Sequence, residues 1–276
     1  MRCPPFGYRG VSAVAIASAG VCTALPAPAW AQDGAWGDGP MNSSYELLLG
    51  AAVLTGPAYL GSDERKSRAL PQIAARWRNG WSVGLGGPGG AGGISYRFAS
   101  NSALSWGLRL GLDRGRDESD ADALRGMGDI KRRPEFGAFA SYALMPGVRL
   151  GASVRAGSGN DRDGVLVDLS VRGMLPVSQS VRLSASLTTT LANTQAMQSQ
   201  FGVTADQSLG SGYALYTASS GVRDVALQVG GIVALRADTS LFLGVTGRSL
   251  FGDAKDSPLV RQRTAASALA SVAVRF

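Results

Sequence analysis

Histidine is absent from the 276 residues, lysine occurs only at Lys66, Lys131 and Lys255, and the two cysteines are Cys3 and Cys22. Without histidine there is no Ser-His-Asp or Cys-His pair to activate a nucleophile, and no His-containing zinc site. An enzyme would need a carboxylate pair or a Ser-Lys arrangement, and all three lysines fall in segments that read as loops. No catalytic residue, metal ligand or cofactor is expected. Long apolar blocks are also missing, which excludes a helical membrane protein. Charged residues make up only 17% of the chain against 45% apolar, too apolar a mixture for disorder.

The N-terminus explains the cysteines. Arg2 and Arg9 precede the small, apolar run Val11–Val21, and Ala29-Trp30-Ala31 follows as a small-x-small cleavage site. These are the parts of a secretory signal peptide, so residues 1–31 are expected to be removed and 32–276 to form the mature domain. The run is too short for a transmembrane anchor, and Pro26 and Pro28 follow it. Val21 before Cys22 argues against lipid attachment there. The mature chain would carry no thiol and no disulfide, although export would permit one. Subtracting the two leader arginines from the net charge of +7 leaves +5. The basic residues are scattered singly along the chain, which speaks against a nucleic-acid partner.

What the mature chain has is alternation with period two, repeated almost to its end. Val148, Leu150, Ala152 and Val154 alternate with Arg149, Gly151, Ser153 and Arg155. Val181, Leu183, Ala185 and Leu187 alternate with Arg182, Ser184, Ser186 and Thr188. Successive strand side chains point to opposite faces, so each segment has one apolar and one polar or small face. A soluble sandwich would show the same pattern. The segments, however, are about ten residues long, as a tilted membrane strand requires, and soluble strands are commonly about half that. The pattern predicts twelve strands, near 45–54, 68–78, 80–87, 91–98, 103–113, 134–145, 148–157, 164–175, 180–191, 222–235, 239–250 and 263–276. Short turns alternate with long polar loops, and only 86–90 is short where a long loop is due. An even number of strands with that asymmetry is the layout of a transmembrane antiparallel β-barrel of the cell outer membrane, its short turns periplasmic and its long loops extracellular. Its outer face would meet lipid. Closure is a physical requirement, because an open edge in hydrocarbon leaves backbone groups unpaired. Trp77, Trp81, Tyr96, Phe98 and Tyr142 could form part of an interfacial girdle.

The alternation also assigns a lumen. Its candidate residues are Arg97, Arg109, Arg149, Arg155, Arg172, Arg182, Arg275 and Asp168, with Arg76, Glu46 and Asp113 on the same face. An arginine-lined lumen would select anions. Equally, the arginines could pair across it and plug it, and the segment from Ala192 to Gly221 is long enough to fold inward. Acidic residues gathered at 113–122, at Asp161 and Asp163, and at Asp253 and Asp256 read better as solvation of loops than as a Ca²⁺ site, whose loop geometry they lack. The glycine run from Gly84 to Gly93 has no helix after it to make a phosphate cradle.

Four loop motifs carry a resemblance. They are Gly56-Pro-Ala-Tyr-Leu-Gly-Ser-Asp63, Leu124-Arg-Gly-Met-Gly-Asp-Ile130, Phe201-Gly-Val-Thr-Ala-Asp-Gln-Ser208 continued by Ser211-Gly-Tyr-Ala-Leu-Tyr216, and Gly252-Asp-Ala-Lys-Asp-Ser-Pro-Leu-Val260. In these the sequence resembles the MipA/OmpV family of outer-membrane proteins. The resemblance implies a scaffold that brings a periplasmic murein transglycosylase together with a murein synthase. Two other readings stand beside it, a weakly anion-selective pore for small solutes and a surface adhesin working through the long loops.

Overall fold

The computed structural model describes residues 43–85, 92–98 and 103–276. The expected signal peptide with its two cysteines, residues 32–42, and the connections expected at 86–90 and 99–102 lie outside the described residues. Twelve strands form one closed, antiparallel barrel in which each is hydrogen-bonded to its neighbours in sequence and β1 pairs with β12. They are β1 (Tyr45–Pro57), β2 (Arg65–Trp77), β3 (Trp81–Leu85), β4 (Gly93–Arg97), β5 (Leu104–Asp113), β6 (Arg133–Met145), β7 (Val148–Ser158), β8 (Gly164–Pro176), β9 (Val181–Ala192), β10 (Gly221–Ala234), β11 (Thr239–Leu250) and β12 (Thr264–Arg275). Closure runs from Leu48 opposite Arg275 to Thr55 opposite Ala268. It leaves no free edge at the seam.

The direction of the alternation distinguishes this barrel from a soluble one. On β7, Leu150 and Val154 are 37% and 40% exposed, whereas Ser153 and Arg155 between and beside them are buried. The same inversion holds on β5, where Leu104, Trp106, Leu108, Leu110 and Leu112 all face outward. Soluble monomers rarely expose contiguous apolar patches above a few hundred Å², and here the whole outer wall is apolar. Such a surface is stable against lipid chains, and the polar groups turn to the lumen.

Three tryptophans and three other aromatic residues gather at the turn end of β2 to β6. Trp81 lies 5.0 Å from Tyr96, Tyr96 lies 5.1 Å from Phe98, and Phe98 stacks on Trp106 at 4.3 Å. Trp77 and Tyr142 flank this ladder on the exposed surface. Amphipathic rings at one level suit a headgroup interface, and they occupy one side of the barrel.

Among the described residues β3 and β4 are five residues each, and predicted positions 86, 87 and 91 lie outside them. There β2 meets β3 from Ile73 to Arg76, and β4 meets β5 from Gly93 to Arg97. The long polar loops carry structure of their own. Three helices fold within them, α1 (Thr194–Phe201), α2 (Ala205–Ser211) and α3 (Gly252–Asp256), with short 3-10 turns at Glu118–Asp120 and Asp122–Leu124. Their start signals are in the sequence. The side chain of Asn193 accepts from the backbone N–H of Ala196, Thr204 and Gln207 form a capping box, and Gly212 closes α2 at φ 78°.

Candidate functional site

The lumen falls into three levels, and the first is a cap at the loop end. Leu166, Ala196, Met197, Phe201, Ala218, Leu250 and Ala254 form one buried cluster between α1, α3 and the strand ends, and Met127, Val203 and Leu259 form another. Phe201, Leu124, Met197 and Leu259 are at most 1% exposed. Loop-to-loop hydrogen bonds join these elements. Tyr59 donates to the carbonyl of Leu259 at 2.7 Å, Tyr213 to that of Ala123 at 3.0 Å, Tyr216 to that of Asp253 at 2.7 Å, and Ser257 to that of Phe201 at 2.6 Å. The Gln207 amide donates to the Met127 carbonyl at 2.7 Å. Burial pushes the Tyr59 hydroxyl up to about 12, which keeps it a donor. The four family-like motifs supply most of these residues. Their role visible in the fold is to build the cap.

Beneath the cap, two ionic clusters occupy the lumen side of the wall. Asp168 sits in register between Ser153 on β7 and Thr190 on β9 and accepts from both hydroxyls, at 3.1 and 2.9 Å. Arg155 binds it at 3.2 Å and lies 3.5 Å from Glu135. The second cluster is Asp224 held by Arg223 at 2.6 Å and by Arg248. Asp224 has no exposed surface. A buried carboxylate is tolerated only with such pairing.

At the turn end, a cavity of about 130 Å³ is lined by Arg172, Arg182, Arg236 and Arg275, with Asp238 and Phe242. Among the described residues no carboxylate forms an ion pair with Arg182, Arg236 or Arg275. The ring of Phe242 lies over glycines: a methyl group on Gly244 would approach it to 2.7 Å. This is one physical reason for so glycine-rich a chain, since bulky lumen side chains need bare backbone to lie on.

Of the predicted lumen residues, the structure brings Arg155 and Asp168 together, with Arg109 coupled electrostatically to Arg155 and Glu135. Arg172, Arg182 and Arg275 gather at the turn-end cavity. Arg97 and Arg149 are half-buried and belong to neither group. Arg76 pairs with Glu46 at 2.7 Å. Sequence reasoning missed Glu135, Arg223, Asp224 and Arg248. Glu135 lies in phase with the lumen face of β6 and was accessible to alternation. Arg223 and Asp224 were not. A β-bulge between Val222 and Asp224 sets two consecutive residues inward, which no strict period of two can anticipate.

An apolar outer wall, a closed antiparallel barrel and a polar interior define an outer-membrane β-barrel protein. Residues 49–276 match the family description "MltA-interacting protein MipA", and the chain belongs to that family. Among solved structures it is similar to the KdgM porin (12% identity, 83% of this chain and 99% of that one, TM-score 0.44). It is also similar to the NanC porin (10%, 81% and 98%, 0.43) and to OmpT of Vibrio cholerae (7%, 86% and 99%, 0.38). A comparison with curated protein sequences returns no match.

Proposed function

We propose that this protein is an outer-membrane scaffold whose turn end receives periplasmic murein-processing enzymes, a transglycosylase of the MltA type and a murein synthase. It has no catalytic role of its own. The observation that supports this reading is the contrast along the lumen. The loop half is packed with cap residues and the ion pairs of Asp168 and Asp224, whereas the turn end presents Arg182, Arg236 and Arg275 with no carboxylate ion pair among the described residues. In outer-membrane barrels the short turns face the periplasm. A basic rim there suits acidic groups on a periplasmic partner and steers their approach.

The test is in-cell photo-cross-linking from Ala237, at the β10–β11 turn, with Leu209 on the outer surface of the cap as the control. Capture of a murein transglycosylase or synthase from Ala237 and not from Leu209 is the expected result. Capture of neither at full surface expression would remove the scaffold. The second reading, an anion-selective pore, is favoured by Arg172, Arg182 and Arg275 at the same rim. It requires steady conductance in planar bilayers that falls on Arg182→Gln, whereas the scaffold predicts conductance near zero.

A further inference from the structure

A second cavity, of about 70 Å³, lies between the cap and the loop end of the wall. Arg114, Arg116, Ser158 and Asp113 are among the residues that line it. Three of its lining polar atoms are buried with no hydrogen-bond partner: Nη1 of Arg114, Nε of Arg116 and Oγ of Ser158. Arg116 is 4% exposed, and its Nη1 donates to the backbone carbonyl of Gln200 at 2.9 Å. That acceptor is neutral, and Asp120 and Asp129 act on the guanidinium only at a distance, with no ion pair to it among the described residues. Arg114 is half-buried beside two further cations, Arg68 and Arg132.

The nearby carboxylates make their hydrogen bonds and ion pairs with other groups, although Asp113 and Glu135 also line the cavity. Asp113 accepts the backbone N–H groups of Gly115 and Gly159, at 3.2 and 3.3 Å. Glu135 faces Arg155 at 3.5 Å. On the cap side Asp120 binds Lys66 at 3.0 Å, and Asp129 accepts from the backbone of Glu118 at 2.8 Å. Desolvated cations without counter-charge are costly, and so are buried donors without acceptors. The pattern also selects its occupant. Both guanidinium groups only donate, and a hydroxyl rotates to donate as well. The three unmet groups together offer donors and no acceptor, which suits an anion.

We propose that this cavity is an anion site, taking one halide or one small oxyanion or carboxylate between Arg114, Arg116 and Ser158. On the measure in which roughly 10–15 Å³ holds one water, the space takes a small ion together with a few waters. Arg114 and Arg116 belong to the 114–132 loop, and Ser158 ends β7. The anion therefore bridges cap and wall and holds the cap closed.

The test uses the purified, full mature barrel in detergent with bromide as the probe. Crystals grown with sodium bromide are expected to show an anomalous peak bonded to Arg114, Arg116 and Ser158. In solution, saturating bromide is expected to slow protease cleavage within 114–132 by about tenfold relative to gluconate at equal ionic strength, as ligand linkage to the closed form requires. The effect is expected to vanish in Arg114→Gln and in Ser158→Ala. These variants are preferred to any change at Arg116, which also anchors Gln200. Phosphate at the same ionic strength separates the sources: protection by phosphate and not by bromide assigns the site to an oxyanion. Water density alone in the cavity, or equal bromide protection in wild type and both variants, would overturn the proposal.

Discussion

The two ends of the lumen are built from the same residue types and arranged in opposite ways. At the loop end, Arg155, Arg223 and Arg248 each lie against a buried carboxylate, and apolar side chains of four loops close over them. At the turn end Arg182, Arg236 and Arg275 stand around an open cavity and form no ion pair with a carboxylate among the described residues. Pairing spends charge on holding the wall and cap together. Unpaired charge near solvent does little for stability and remains available to a partner. The difference is the ground for proposing a structural role at one end and recognition at the other.

The largest expected effect tests the structural end. Asp224→Ala leaves Arg223 and Arg248 facing each other in a lumen with no counter-charge. Removing one partner of a buried ion pair costs about 3–5 kcal/mol, so little folded barrel should appear on heat-modifiability gels. Arg182→Ala at the turn end should leave folded yield unchanged, because exposed charges contribute roughly 0–1 kcal/mol. Equal losses in the two variants would erase the distinction between the ends.

A smaller effect concerns the cap alone. Phe201 is 1% exposed in the cluster with Met197 and Leu250, outside the strands themselves. Phe201→Ala is expected to destabilise by about 3–5 kcal/mol locally, spread over an element whose opening does not require the barrel to unfold. Protease cleavage within 192–221 should rise while the strands stay protected in hydrogen exchange. Exchange throughout the barrel would show that cap and wall form one cooperative unit.

How much of this was legible beforehand follows from what each feature depends on. Strand number, register phase and the outward apolar face depend on local alternation, and all twelve strands were readable from it. The lumen face of Arg155, Asp168, Arg172 and Arg182 came from the same period. Asp224 did not, because a bulge is one inserted residue that resets the phase. Nor did the cap: its contacts, such as Tyr59 with Leu259, join residues 200 positions apart, and only the helix-end signals at Asn193, at Thr204 with Gln207 and at Gly212 announce any of it locally.

The smallest effect is a matter of pH and isolates one hydroxyl of the cap. Tyr59 titrates from 10.0 in the unfolded chain to about 12 in the closed cap, raised by burial first and by neighbouring Tyr213 second. In the interval the native form holds a proton that the unfolded form has released, so stability falls as pH rises. The contribution of Tyr59 is complete below pH 10 and is lost as pH passes about 12. Tyr216 shifts in the same direction, and Arg114 and Arg116, lowered by desolvation, shift in the opposite one. The wild-type curve therefore mixes several groups, and the informative quantity is its difference from Tyr59→Phe. That variant loses the hydrogen bond to Leu259, about 1 kcal/mol at neutral pH, and also loses the titration. Protease protection of the cap should start lower in Tyr59→Phe and converge with wild type between pH 10 and about 12. Parallel curves across that interval would mean that Tyr59 is not sealed from solvent, and that the loop end is looser than its packing implies.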